Sequence, residues 1–424
     1  MSEETAITTI QPFFNQSGVE LIEIPVGKGV PLGIQQVSNP QVGIGGAYGT
    51  WGEGFDNQAL PALIEHRLGA PLQEQDRITL SPLGFDYRHH IAELSPQEHL
   101  EVELAVGEIF LRHAAQACGW ETGEVESVLI GSSGPVAEDY TVQIARRAGI
   151  PESAWKVSMH KACDGSVGSL HMALNPGLEI YNGLGVNLAR ELEGKKVLVG
   201  GIEGLSRFVE LSQDANALQL FGNGAGVIGV IPGETMQFLV GKTHEVFDED
   251  GVLAVHMYYP HTGQRHQDQS NVETSLASAR HIRVAGLMNE PADGRPVVMA
   301  GPMGMVKLFV RTGVQVVSEL YRSYRELMSS RGTPEKDVAM VVVHHANLKI
   351  NKLLEKHLLN AGIPLEMPWV LSEFGNISAA SNMIAFLRQL PGMKPGDHIL
   401  IDGFGAGTYY DVLVVALSED SFSK

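Results

Sequence analysis

Cysteine is scarce in this chain: 424 residues contain two, Cys118 and Cys163. Two thiols build neither a disulfide framework nor a four-thiolate zinc site. Positive charge is also in deficit. Thirty Lys and Arg face 49 Asp and Glu, a formal net charge of −19. Such a chain is not expected to bind nucleic acid or an anionic membrane surface non-specifically. No apolar stretch approaches the roughly 20 residues that span a bilayer. The first 14 residues carry Glu3 and Glu4 and lack the basic start and apolar run of a signal peptide. A cytoplasmic protein is therefore expected, in a reducing compartment that suits a free thiol. What the chain has in quantity is glycine, 48 residues, within a 44 % hydrophobic composition. Its length suits one large core or two fused domains.

The pattern alternates strands and helices, which argues an α/β layered fold. Strands are predicted at 42–48, 125–130, 154–159, 197–201, 227–231, 338–343, 398–401 and 412–417. Helices are predicted at 100–118, 140–148, 303–328 and 348–359, from apolar residues near helical spacing and from glycine stops such as Gly119 and Gly149. The two halves look alike in plan, with glycine-rich strands at 42–48 and 227–231 each starting a unit. Residues 19–31 read as an added strand and loop. Gly224-Ala225-Gly226-Val227-Ile228-Gly229 fits a dinucleotide-binding text, but that motif needs a helix there. A β-branched strand closed by Pro232 follows instead, so the glycines read as close backbone packing. His256, His261 and His266 recur every five residues, on no single helix face, and read as a loop rather than a metal site. His89-His90 reads as a surface or interface pair.

Three segments carry chemistry. Cys163 lies in Lys161-Ala162-Cys163-Asp164-Gly165-Ser166, between a predicted strand and a predicted helix. Unpaired N–H groups and the macrodipole of a helix start favour a thiolate there. His344 and His345 end the run Val341-Val342-Val343, and Asn376 opens the turn before a helix at Ser381. Taken singly, a buried structural cysteine, a core histidine and an Asn cap are the ordinary readings. Together they form a nucleophile–base–polariser set.

On these residues the chain resembles the β-ketoacyl-ACP synthase III family of the thiolase superfamily, over residues 41–417. The family's Ala-Cys-x-Gly turn is matched by Ala162 to Gly165. Its His-Gln-Ala-Asn-Leu-Arg is matched by His344 to Lys349, with His345 in place of Gln. Its Gly-Asn-Thr-Ser-Ala-Ala-Ser is matched by Gly375 to Ser381, with Ile377 in place of Thr. Its Gly-Phe-Gly-Ala-Gly is matched by Gly403 to Gly407, and its Phe-Gly-Asp-Gly-Ala-Gly by Phe221 to Gly226, with Asn223 in place of Asp.

The resemblance implies a thiolase fold: duplicated halves in a five-layer α-β-α-β-α sandwich. On this plan residues 1–40 are an N-terminal extension, 41–220 the half bearing Cys163, and 221–424 the half bearing His344 and Asn376. It implies that Cys163 accepts an acyl group from acyl-CoA or acyl-ACP. Decarboxylative Claisen condensation with a malonyl-type thioester then gives a 3-oxoacyl product. His344 and Asn376 would stabilise the enolate oxygen, and the N–H groups of Cys163 and Ala406 an oxyanion hole in the Gly405-Ala406-Gly407 turn. No cofactor is implied beyond the thioester substrates. A homodimer is implied, pairing through the strand near Val157 to Ala162. Lys349, Lys352 and Lys356, with His345, are expected on one helix face as a dock for an acidic carrier protein.

Departures from the family bear on the substrate. The leading arginine of its coenzyme-A stretch has no counterpart in Pro82-Leu83-Gly84-Phe85-Asp86-Tyr87-Arg88. Ala137 stands where the family closes its acyl pocket with Phe. Both point to a secondary-metabolism relative with another donor. An acyltransferase passing the Cys163-bound group to a hydroxyl or amine is the alternative, and a non-catalytic partner subunit a third reading. Cys118, inside a helix pattern, is a poor second catalytic cysteine.

Overall fold

In a computed structural model of the chain the described residues are 19–24, 29–91, 94–133, 137, 139–178, 184–207, 215–245, 255–256, 272–286, 298–299, 306–405 and 409–418. Two sheets carry the fold. The first holds β1 (Glu20–Ile24), β2 (Val30–Asn39), β3 (Ile44–Trp51), β4 (Ser127–Gly131), β5 (Trp155–His160), β6 (Val197–Glu203), β7 (Gly224–Val230), β9 (Val272–Ser278) and β10 (His281–Gly286). Their order across the sheet is β1-β2-β3-β7-β6-β4-β5-β10-β9. The second holds β8 (Met236–Glu245), β11 (Val338–Val343), β12 (His398–Gly405) and β13 (Tyr409–Leu417), in the order β8-β13-β12-β11.

Six helices complete five layers. α1 (Pro96–Ala117) and α2 (Tyr140–Ala148) cover the outer face of the first sheet. α3 (Gly165–Leu174) and α6 (Ser381–Gln389) lie between the sheets, and α4 (Thr312–Ser330) and α5 (Leu348–Asn360) cover the second. The largest apolar cluster joins α3 and α6 to the inner faces of both sheets, through residues such as Val157, Leu170, Ile384 and Ile401. Local chemistry sets the helix ends. Ser95 and Glu98 form a reciprocal capping box on α1, and Gly149, at φ 82°, ends α2. α3 is buried along its whole length, which its small residues permit. A Cβ at Gly165 would meet the Gly131 Cα at 2.9 Å, so helix and strand touch through backbone.

Most predicted elements are present, and four expectations change. Residues 30–39 form a long strand, so the loop read up to residue 31 ends at Val30, because β2 pairs with β3 from Leu32 to Asn39. The two glycine-rich strands do not start separate halves. β3 and β7 are antiparallel neighbours in one sheet, so the change of sheet falls between Val230 and Met236 rather than at 221. The outer edge of β5, expected to pair across a dimer axis, is covered by β10 in parallel register from Lys156 to His160. His89 and His90 are buried rather than at the surface. Their strand, Tyr87–His90, packs on the 221–223 turn, where Asn223 donates its N–H to the His89 carbonyl at 2.9 Å. Burial, with the Arg88 charge beside it, pushes His89 down to about 3.

α4 is preceded by a π-helical turn at Val306–Arg311; residues 303–305 lie outside the described residues. His256 lies in the two-residue strand Val255–His256, and His261 and His266 lie outside the described residues. Among the described residues no helix is long and apolar enough to cross a membrane.

Candidate active site

β5 runs straight into the cysteine turn. Ala162–Asp164 form a single 3₁₀ turn, and α3 begins at Gly165. Ala162 has φ 49°, in the left-handed region that costs a non-glycine residue about 1–3 kcal/mol when held by its surroundings. The other described non-glycine residue at positive φ is Ser378, at 48°. Ser378 meets the cysteine turn that contains Ala162, its hydroxyl 3.2 Å from Cys163 Sγ.

The turn from Gly375 to Ser381 brings the three sequence motifs together. Asn376 Oδ1 accepts the Ser378 N–H at 2.9 Å, and Ser378 reaches Cys163. Ser381 Oγ accepts the His345 N–H at 3.3 Å and forms a short hydrogen bond with His344 Nδ1. Taking the Ser381 hydroxyl as the donor to Nδ1 puts the ring proton on Nε2. That Nε2 is buried and has no hydrogen-bond partner among the described residues. Burial, with His345 adding to it, pushes His344 down to about 3, so the ring is neutral at ordinary pH. A neutral imidazole with an unpaired Nε2–H is a preorganised donor for developing negative charge.

His345 does not join the basic strip predicted for it. It precedes α5, is buried, donates from Nδ1 to the Val343 carbonyl at 2.8 Å, and accepts the Val370 N–H on Nε2 at 3.0 Å. Its ring packs on Trp369, centroids 4.5 Å apart. Lys349, Lys352 and Lys356 are exposed on α5, and Lys352 pairs with Glu355 at 2.7 Å. Gly405, at the end of β12, packs on the cysteine turn. A Cβ there would meet Asp164 N at 2.8 Å and Cys163 N at 2.9 Å. Ala406 and Gly407 lie outside the described residues. Ala137 is described and half-buried, on the segment that follows Ser133.

One substitution against the family pattern has a local reason. Asn223 donates from Nδ2 to the Trp51 carbonyl at 3.2 Å and accepts from Ser206 N–H at 3.0 Å, a pairing an aspartate could not complete. Arg88 is buried, held by the Gln219 carbonyl at 2.9 Å and Asn57 Oδ1 at 2.8 Å. It braces the fold. Cys118 is half-buried, its thiol pushed up to about 12 by burial, far from a working nucleophile.

Sequence reasoning missed two polar networks around the cysteine turn. One is charged. Lys161 Nζ pairs with Asp411 Oδ2 and, at 3.1 Å, with Asp164 Oδ2. Asn175 Nδ2 donates to His171 Nε2 at 3.0 Å, which leaves His171 Nδ1–H to donate to Asp411 Oδ1 at 2.7 Å. Burial disfavours the Lys161 charge, but Asp411 and Asp164 hold it well above the ordinary lysine range. Burial and Asp411 together push Asp164 well above the carboxylate range. The other network is built of hydroxyls. Ser133 Oγ donates to Glu203 Oε1 at 2.8 Å and shares a short hydrogen bond with Ser378 Oγ. Ala379 N–H reaches the same Glu203 oxygen at 3.1 Å. Burial pushes Glu203 up to about 7, against the lowering effect of these hydrogen bonds. Lys161 and Asp164, directly flanking the cysteine, were the available signal for the first network; nothing local marks Glu203.

The layered architecture is the thiolase fold. The crystal structure of 3-oxoacyl-[acyl-carrier-protein] synthase III from Aquifex aeolicus superposes with a TM-score of 0.59 at 17 % identity, covering 94 % of this chain and all of that one. Residues 328–417 match the family model of the 3-oxoacyl-[acyl-carrier-protein] synthase III C terminal. β-Ketoacyl-[acyl-carrier-protein] synthase III of Clostridium perfringens is 25 % identical over 374 residues, 86 % of this chain and 98 % of that protein. The Aquifex aeolicus protein of the same name is 30 % identical over 227 residues, 53 % of this chain and 58 % of its own length. The chain is thus similar to β-ketoacyl-[acyl-carrier-protein] synthase III over most of its length, and its C-terminal segment carries that family's model.

Proposed function

We propose that the chain is an acyl-thioester condensing enzyme with Cys163, His344 and Asn376 as its catalytic set. Cys163 attacks an acyl-CoA or acyl-ACP thioester and holds the acyl group. A malonyl-type thioester then loses CO₂, and the resulting carbanion attacks the Cys163-bound carbonyl to give a 3-oxoacyl product. The hard part is negative charge on the thioester oxygen of the acceptor. The observation that carries the reading is the unpaired Nε2–H of neutral His344, fixed by Ser381 on the turn that brings Asn376 to Cys163. Decarboxylation needs uncharged donors of that kind.

In the same reading the N–H groups of Cys163 and Ala406 receive the oxyanion of acyl transfer, with Gly405 and Gly407 admitting the substrate. Ala137 leaves the acyl pocket wide, and Lys349, Lys352 and Lys356 meet an acidic carrier. The protein works in a reducing cytoplasm as a homodimer, through a surface other than the β5 edge.

The test is direct. Incubation with an acyl thioester should add the acyl mass to the Cys163 peptide, and Cys163→Ala should abolish the adduct while keeping the fold. Added malonyl thioester should then release CO₂. His344→Ala or Asn376→Ala should slow that release about 10²–10³-fold while loading changes far less. Equal loss of loading and decarboxylation would remove both residues from the enolate site. Loading followed by transfer without CO₂ would replace condensation with simple acyl transfer.

A further inference from the structure

Cys163 needs a base for its thiol proton, and in the tautomer assigned above His344 offers no free lone pair for it. Its Nδ1 is occupied by the Ser381 hydroxyl, and with that hydroxyl as donor its Nε2 carries the ring proton. A different line of atoms leaves the sulfur. Ser378 Oγ lies 3.2 Å from Cys163 Sγ, Ser133 Oγ lies within a short hydrogen bond of Ser378 Oγ, and Glu203 Oε1 lies 2.8 Å from Ser133 Oγ. All of Ser133, Ser378 and Glu203 are about 1 % exposed, so bulk water does not interrupt the line.

We propose that Glu203 is the proton acceptor for Cys163, acting through the hydroxyls of Ser378 and Ser133. The proposal rests on the reading of Cys163 as the nucleophile. As the sulfur attacks the acyl carbonyl, the S–H bond breaks and its proton moves to Ser378 Oγ. The Ser378 proton moves to Ser133 Oγ, and the Ser133 proton to Glu203 Oε1. Each serine gives one proton and receives one, so neither changes state. A Cys163 S–C bond forms, the bond to the leaving sulfur breaks, and the leaving thiolate takes the proton back along the same line. Glu203 returns to carboxylate, and no other reactant is needed. Glu203 is thus a positioning residue for the proton, out of contact with the acyl group.

Burial supports the role. It raises Glu203 to about 7, where a carboxylate can both take and return a proton near neutrality. Of the titratable groups on the elements packed around it, Glu103 and His160 are engaged and Tyr140 is held in its neutral form. Glu103 is paired with Arg207 Nε at 2.9 Å, His160 Nδ1 is hydrogen-bonded to Ser132 Oγ at 3.0 Å, and burial pushes Tyr140 well above its ordinary range. Ala379 N–H anchors the Glu203 oxygen that ends the line.

The experiment follows alkylation of Cys163 by iodoacetamide from pH 5 to 10, read as the mass of the Cys163 peptide, in the full-length protein and in Glu203→Gln and Ser378→Ala. Gln keeps the oxygen that Ser133 and Ala379 address. In both variants the inflection of rate against pH should rise by at least about one unit, slowing alkylation at pH 7 about tenfold, with the rates converging at high pH. A purely structural defect would lower the rate at every pH without moving the inflection. An unmoved inflection in a folded variant overturns the relay while leaving Cys163 as nucleophile, provided the unaltered protein still forms its acyl adduct there. If Glu203→Gln does not fold, the Ser378→Ala profile decides alone. An acyl adduct on a residue other than Cys163 overturns both readings.

Discussion

Two buried polar networks converge on the Cys163 turn, and they are made of different chemistry. Lys161 and Asp411 form a buried ion pair, joined by Asp164 and His171, that ties the nucleophile turn of one sheet layer to β13 of the other. Ser378, Ser133 and Glu203 form a chain of hydroxyls with one carboxyl poised near neutrality. Buried charges hold geometry, because each one left unpaired is expensive. Hydroxyls hold geometry weakly but can donate and accept at once. One network fixes where the sulfur sits, and the other governs where its proton goes.

Removing one member of each network sharpens that contrast. Lys161→Met should cost about 3–5 kcal/mol in urea unfolding, since Asp411 would remain buried without its cation. Ser133→Ala should cost only about 1–3 kcal/mol, the penalty of losing its hydrogen bonds to Glu203 and Ser378. Equal losses would mean that the two networks do the same work.

A second comparison uses pH. Glu203 has its folded value raised to about 7 from the ordinary 4.5. The folded state therefore disfavours its carboxylate, and wild-type stability falls as pH rises from 4.5 through 7, then levels. Gln at this position does not titrate. The stability gap between Glu203→Gln and wild type should open in the variant's favour across that window, by on the order of 3 kcal/mol or less. Unfolding free energies at pH 5 and pH 8 check it, and a pH-independent gap would show that burial does not perturb Glu203.

The smallest effect is expected on the exposed strip of α5. Lys349→Glu with Lys356→Glu should weaken turnover of a carrier-bound acceptor and flatten its salt dependence, leaving a small thioester mimic nearly untouched. Equal effects on both acceptors would remove the strip as a dock. The strip is thinner than its spacing promised, since His345 is buried and Lys352 is engaged by Glu355.

What was legible in the sequence followed locality. Strand–turn–helix units such as β5 to α3 and β11 to α5 are contiguous, and their hydrophobic runs and small residues mark them directly. Cys163, His344 and Asn376 stand at such junctions, and the structure brings their motifs to one turn. What was not legible depends on distant pairing. Residues 30–39 are a strand because β3 lies beside them, which no local propensity states. The β9–β10 hairpin has a polar, exposed outer strand and no strong apolar alternation. His89 reads as polar surface until Asn223 and Gly222 close over its strand. Glu203 ends a strand like many others, and its meaning comes from Ser133, 70 residues away, and from Ala379, 176 residues away.

The placement of β10 beside β5 also orders the birth of the protein. β5 leaves the ribosome with its outer edge bare, and the strand that covers it, from His281, comes only after β6, β7 and β8 have been made. The first sheet cannot be completed from the first half of the chain. A nascent or truncated chain ending before Val272 would carry an open parallel edge of Trp155-Lys156-Val157-Ser158-Met159, a template for pairing with other chains. The two halves are therefore one unit of synthesis and assembly, however separable their symmetry makes them look.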